Sequence, residues 1–165
     1  MNLDEALAEN RRRVEAFIAA SAPLGETWTT PVRPGKWSPA EVNEHVAMSY
    51  VAAADVYATG GDAFPKLPFF LRPLLRRFVF DKVIRNGGDF GRPVKTFKAL
   101  TPLERRRTPA DGAIRVRDAL TVFEAKVRAH GTAQVRHTAF GTLDPAAYVM
   151  FQAYHTTHHQ KQLTP

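Results

Sequence analysis

Apolar positions Leu3, Leu7, Val14, Phe17 and Ile18 recur at the spacing of one helix face, with Glu5, Glu9, Arg12 and Glu15 between them. They predict an amphipathic helix from Leu3 to about Ala20. Residues 21–37 break that rhythm with Pro23, Gly25, Pro31, Pro34 and Gly35, and predict a long connection. A second helix starts at once behind it. Ser38 as N-cap, Pro39 at the first helical position and Glu41 at the third form a capping box, in which each side chain satisfies the other residue's backbone amide. Gly60-Gly61 sets its end near Thr59.

The next apolar stretch, Phe64 to Ile84, is rich in Phe, Leu and Arg, and its prolines Pro68 and Pro73 place a further helix at about 69–85. From Asn86-Gly87-Gly88 to Gly112 the pattern is irregular and reads as an ordered loop around the outside, containing Glu104 and Arg105 to Arg107 as a solvated stretch. Helical period returns at 113–129, where Val116, Ala119, Leu120, Phe123 and Val127 line one face and His130-Gly131 closes the element. Asp144 and Pro145 mark the start of a last helix that runs through Leu163. No repeat, sustained heptad or long alternating run is present. Four main helices and one additional helix with long irregular loops predict an all-α, up-down four-helix bundle.

A chain of 165 residues suits a single domain, residues 1–165, with one core. The absence of cysteine excludes disulfides, thiolate zinc sites and cysteine nucleophiles, and suits a reducing compartment. The N-terminal MNLDEALAENRRRVEAF lacks the apolar run of a signal peptide, and no stretch is long enough to span a membrane. The expected location is the cytoplasm, without stable membrane insertion. The net charge of +7 is spread over several segments with no nucleic-acid motif, so nucleic acid is not the expected partner. The mixed apolar and basic stretch Phe69 to Phe78 reads most simply as a cover for one bundle end or a dimer seam, with an anionic membrane surface as the alternative.

Three of the six histidines fall in one window, His155-Thr156-Thr157-His158-His159, within the last helix. Residues four apart on a helix are neighbours on its surface, so His155 and His159 can aim two imidazoles at one ion. His45 is the only histidine of the second helix and the natural third ligand. Three protein ligands leave an open coordination position. His158 competes with His159, because it continues the apolar line of Ala147, Met150, Phe151 and Tyr154. A metal ligand needs the solvent-reaching edge of the core, which favours His159 and leaves His158 packed beside it. Glu41, Gln152, Gln162 and Tyr148 lie near enough along their helices to support the ligands, while Glu41 has a sufficient explanation as a cap.

Lys36-Trp37-Ser38-Pro39-Ala40-Glu41 leading to His45, followed by Tyr154-His155-Thr156-Thr157-His158-His159-Gln160-Lys161-Gln162, resembles the DinB/YfiT-like superfamily. Phe140 to Leu143 before the last helix and the basic apolar segment 69–88 are similar to an uncharacterised branch of it. The resemblance implies a four-helix bundle, frequently a homodimer, with a divalent metal on His45, His155 and His159. It also implies a function class, since characterised relatives include metal-dependent transferases and isomerases that use low-molecular-weight thiols such as mycothiol or bacillithiol.

The leading expectation is therefore a divalent-metal-dependent enzyme acting on a small-molecule substrate, of the thiol-dependent transferase or isomerase type or a hydrolase. The ion would be zinc, nickel, iron or manganese. The alternative is a non-catalytic bundle that binds a small ligand or a protein partner. No residue of the sequence identifies a catalytic side chain, a thiol or a substrate.

Overall fold

The computed structural model describes all residues except 63, 65, 67, 92–97, 103–104 and 164–165; Glu104 and part of the loop expected around it lie outside the described residues. The described residues form an all-α bundle of four long helices: α1 (Leu3–Ser21), α2 (Pro39–Thr59), α5 (Pro109–His130) and α6 (Pro145–Gln160). Between α2 and α5, the short helices α3 (Arg72–Leu75) and α4 (Asp81–Arg85) are joined without a break by a π-helical turn, Arg76–Phe80. A two-stranded antiparallel hairpin, β1 (Val135–His137) and β2 (Gly141–Leu143), links α5 to α6.

Helix starts follow the expected chemistry. Ser38 with Glu41 forms the expected capping box and Asp144 accepts from the Ala147 amide, while Asn2 with Glu5 forms a second capping box beyond the one expected. The third long helix begins four residues before the expected 113: Thr108 caps it by accepting from the Asp111 amide, with Pro109 behind the cap. Gly112 reads as a breaker but lies within the first turn because packing requires it. A Cβ there would meet Trp28 Cζ2 at 2.8 Å and Asn43 Oδ1 at 2.9 Å. The helix expected at 69–85 begins at Arg72, since Pro68 to Leu71 close a turn with the Leu71 amide donating to the Pro68 carbonyl. α6 stops at Gln160 rather than running through Leu163, because Leu163 is buried and turns the chain back onto the bundle.

The core holds the predicted faces of α1 (Leu7, Val14, Phe17 and Ile18) and α5 (Val116, Leu120, Phe123 and Val127), together with Val42, Val46 and Tyr50 of α2. On α6 it takes Tyr148, Val149 and Ala153, while of the apolar line expected there only Met150 is buried and Ala147, Phe151 and Tyr154 are half-buried. Ion pairs Asp4 with Arg128, Arg11 with Glu124 and Glu15 with Arg117 set α1 antiparallel to α5. Glu44 meets Arg115, and Tyr57 stacks edge-on against His130, so α2 and α5 run the same way, and the all-α bundle departs from the expected up-down alternation at this pair. Two adjacent parallel helices cannot be joined by a tight turn, which is why residues 60–108 form a long crossover between them. That crossover returns to the bundle end where α2 begins, the end that carries the histidines.

The segment from Phe69 to Phe78 does not cover the bundle with its apolar residues. The inward contact is made just beyond it by Phe80 and Val83, with Phe80 stacked on Phe151 at 5.1 Å, while Phe69, Phe70, Leu74 and Phe78 stay exposed.

Candidate metal centre

The α2 capping box starts that helix two turns before His45 and places its ring 3 % exposed at the bundle end. α6 runs antiparallel to α2, so the last two turns of α6 bring His155 and His159 to the same place. The His45 ring lies 5.3 Å from that of His155 and 4.5 Å from that of His159. One nitrogen from each of the three rings lies within 4.8 Å of the others, a grouping that can hold a metal ion.

The proton positions of two rings follow from their partners. His45 Nδ1 lies 2.8 Å from the Leu100 carbonyl, which can only accept, so Nδ1 carries the proton and Nε2 keeps its lone pair. His159 Nδ1 donates to Gln162 Oε1 at 2.9 Å, and the amide nitrogen of Gln162 donates to His158 Nε2 at 3.0 Å. His159 Nε2 is thereby also a lone pair, and it faces His155 Nε2 at 3.0 Å. Two nitrogens bound tetrahedrally to one ion at zinc distances are about 3.3 Å apart, so the pair needs only a few tenths of an ångström to share a cation. A proton on His155 Nε2 fills the same gap as an N–H···N hydrogen bond. Donation of the second ring nitrogen to a carbonyl or amide oxygen is the usual way in which ligating histidines are oriented.

Electrostatics keep these rings neutral. Burial lowers His45 below the ordinary imidazole range, and His158 adds to the effect, while the Leu100 hydrogen bond works against it. Burial pushes His155 well below that range, helped by His159 and His45. Burial, with His45 beside it, takes His159 to about 3. A neutral imidazole is the form that donates a lone pair.

Aromatic rings wall the cluster. Trp37 lies 5.0 Å from His45, and Phe90 lies 5.8 Å from His155 and 5.0 Å from His158. Beside it a cavity of about 220 Å³ is lined by Arg13, residues 86–90, Tyr154, Thr157, His158 and Lys161. Gly88 seats this segment, since a Cβ there would meet the Tyr154 ring at 2.7 Å.

The residues considered as supports divide. Gln162 orients His159. Glu41 serves as the cap and pairs with Arg105 at 3.4 Å, and Tyr148 packs against Tyr57, Phe123 and His137 instead. Gln152 is buried in α6. The helical-wheel ordering of His158 and His159 is reversed in space: His159 is 7 % exposed, whereas His158 is half-buried and faces Phe90 and Gln162. Arg105 and Arg106 are tied down rather than merely solvated, to Glu41 and Glu44, beside an open cleft with Arg107 and Arg115. The Leu100 carbonyl and Phe90 escaped the sequence reading, because both arrive from an irregular crossover and a carbonyl carries no side-chain signature.

No curated protein and no solved structure is similar enough to match this chain. The sequence model of one family, described as a protein of unknown function, matches residues 10–165, and the chain belongs to that family, DUF1569.

Proposed function

We propose that this protein binds one divalent metal ion on the Nε2 atoms of His45, His155 and His159 and uses it as an enzyme acting on a small molecule, and that its family is a branch of the DinB/YfiT-like superfamily. One observation carries the reading. Two of the three rings have their outer nitrogens engaged as donors, so their lone pairs are left for the centre of the cluster. The order of the three histidines and their places on α2 and α6 support the superfamily assignment.

The chemistry such an ion supplies when bound is Lewis acidity, which lets a water or a low-molecular-weight thiol lose its proton near neutral pH. The protein's residues do the rest. Leu100 and Gln162 fix the imidazoles, while Trp37 and Phe90 exclude bulk water from two sides. The chain contains no cysteine, so a thiol nucleophile has to come from outside, as in a thiol-dependent transferase or isomerase; a water nucleophile makes the reaction hydrolytic.

The test is elemental analysis of tag-free protein beside His45→Ala and His159→Ala, with circular dichroism to confirm folding. About one ion per chain, lost in both variants, is the expected result for a three-ligand site. Protein that takes up no zinc, nickel, iron or manganese even after reconstitution overturns the reading.

A further inference from the structure

We propose that the segment from Phe69 to Arg85 docks the protein on an anionic lipid surface. The surface is unusual for a water-facing helix. Phe69 is 80 % exposed, Phe70 62 %, Leu74 53 % and Phe78 64 %. Phe70, Leu74 and Phe78 recur every four residues and form one outward stripe, while Phe80 and Val83 on the other side are buried. The stripe is therefore carried on an element whose inner face is packed. Apolar side chains exposed to this extent protrude and do not line a groove.

Cations surround the stripe. Arg77, Lys82 and Arg85 are exposed, and none of them takes part in an ion pair among the described residues. Of the nearby acids, Asp81 pairs with Arg76 and Asp62 with Lys66. Protruding aromatic and leucine side chains flanked by arginine and lysine are the composition of a helix that lies in the interface plane of a bilayer.

The charge argues against a second copy of this chain as the occupant. A two-fold interface sets a patch against itself, and here it would bring two unpaired cationic fringes together. An anionic bilayer answers both features, accepting the protruding rings among acyl chains and the cations among headgroups. No described helix is long and apolar enough to cross a membrane, so the attachment is peripheral.

The test is flotation of the purified protein with vesicles of phosphatidylcholine alone and of equal parts phosphatidylcholine and phosphatidylglycerol, at low and high salt. The expected result is flotation with the anionic vesicles only, reversed by salt. Phe70→Ser with Phe78→Ser, and separately Arg77→Glu with Lys82→Glu, should each weaken it about tenfold or more with an unchanged melting curve. Protein that stays in the soluble fraction at low salt, or floats equally with both vesicles, overturns the proposal. So does a dimer, seen by light scattering, that the Phe70→Ser, Phe78→Ser variant dissociates.

Discussion

Acid should unfold this protein partly through His137, far from the histidine cluster. The ring is 2 % exposed, packed 4.6 Å from Phe64 and 4.7 Å from Phe140, at the hairpin end of the bundle. Its Nδ1 accepts the Ala139 amide at 3.0 Å and the Phe140 amide at 3.4 Å, so a proton on Nδ1 would point at two N–H groups. Burial lowers its pKa from 6.5 to about 4. Between those values the unfolded chain binds the proton that the folded one refuses. The contribution of His137 is therefore intact above the unfolded value and is lost as pH falls toward the folded one. At about 1.4 kcal/mol per unit the whole window amounts to about 3 kcal/mol, of which about 2 kcal/mol is gone by about pH 5. Urea unfolding as a function of pH measures this directly. His45, His155 and His159 add acid sensitivity of the same sign, so the informative quantity is the difference between wild type and His137→Asn, whose side-chain oxygen can still accept the two amides. The variant should start less stable, having lost ring packing, and then lose about 2 kcal/mol less than wild type between neutral pH and about pH 5. Parallel curves for the two proteins, or an NMR titration of His137 centred near its unfolded value, would show that burial does not hold this ring neutral in the folded protein.

Two glycines carry further predictions. Gly112→Ala in α5 should destabilise by about 1–3 kcal/mol in urea, although alanine is the better helix former, because the new Cβ meets Trp28 and Asn43 below 3.0 Å; an equal or raised unfolding midpoint would show that this contact relaxes freely. Gly88→Ala combines a φ of 100° with a Cβ 2.7 Å from the Tyr154 ring, and should loosen the segment that seats Phe90 against His155 and His158. It is expected to weaken zinc binding about tenfold by calorimetry while leaving the melting temperature of the bundle within a few degrees, and unchanged affinity would show that the crossover plays no part at the site.

The parts of this structure legible in the sequence are those written in local chemistry. The starts of α2 and α6 were evident because Ser38-Pro39 with Glu41 and Asp144-Pro145 combine a cap with a preset φ. Thr108-Pro109-Ala110-Asp111 is the same signal, masked by Gly112, whose reason for being glycine lies in Trp28 and Asn43. The choice between His158 and His159 was not legible, since the wheel weighs an apolar line on one helix. The actual burial depends on α2 covering His159 and on the Gln162 turn behind it. The outward stripe at Phe70, Leu74 and Phe78 was likewise ambiguous, because an apolar period does not say which of two apolar faces meets the core.

The topology explains why so much of the candidate site comes from irregular chain. α2 spans 21 residues, a rise of about 30 Å, and α5 starts again at the same end. The connection must climb back along the whole bundle. At the far end the Thr138 amide donates to the Gly60 carbonyl, where the crossover leaves α2 beside the hairpin. Midway, Phe80 and Val83 hold it on the bundle and leave the basic aromatic stripe facing out. At the near end it delivers Phe90 and the Leu100 carbonyl to the histidines. Helices α2 and α6 supply the three imidazoles, but the tautomer of His45 and the wall over His155 come from the crossover. Rigid helices set where the nitrogens converge, and the connection that their parallel order imposes determines which nitrogen of His45 is free to bind.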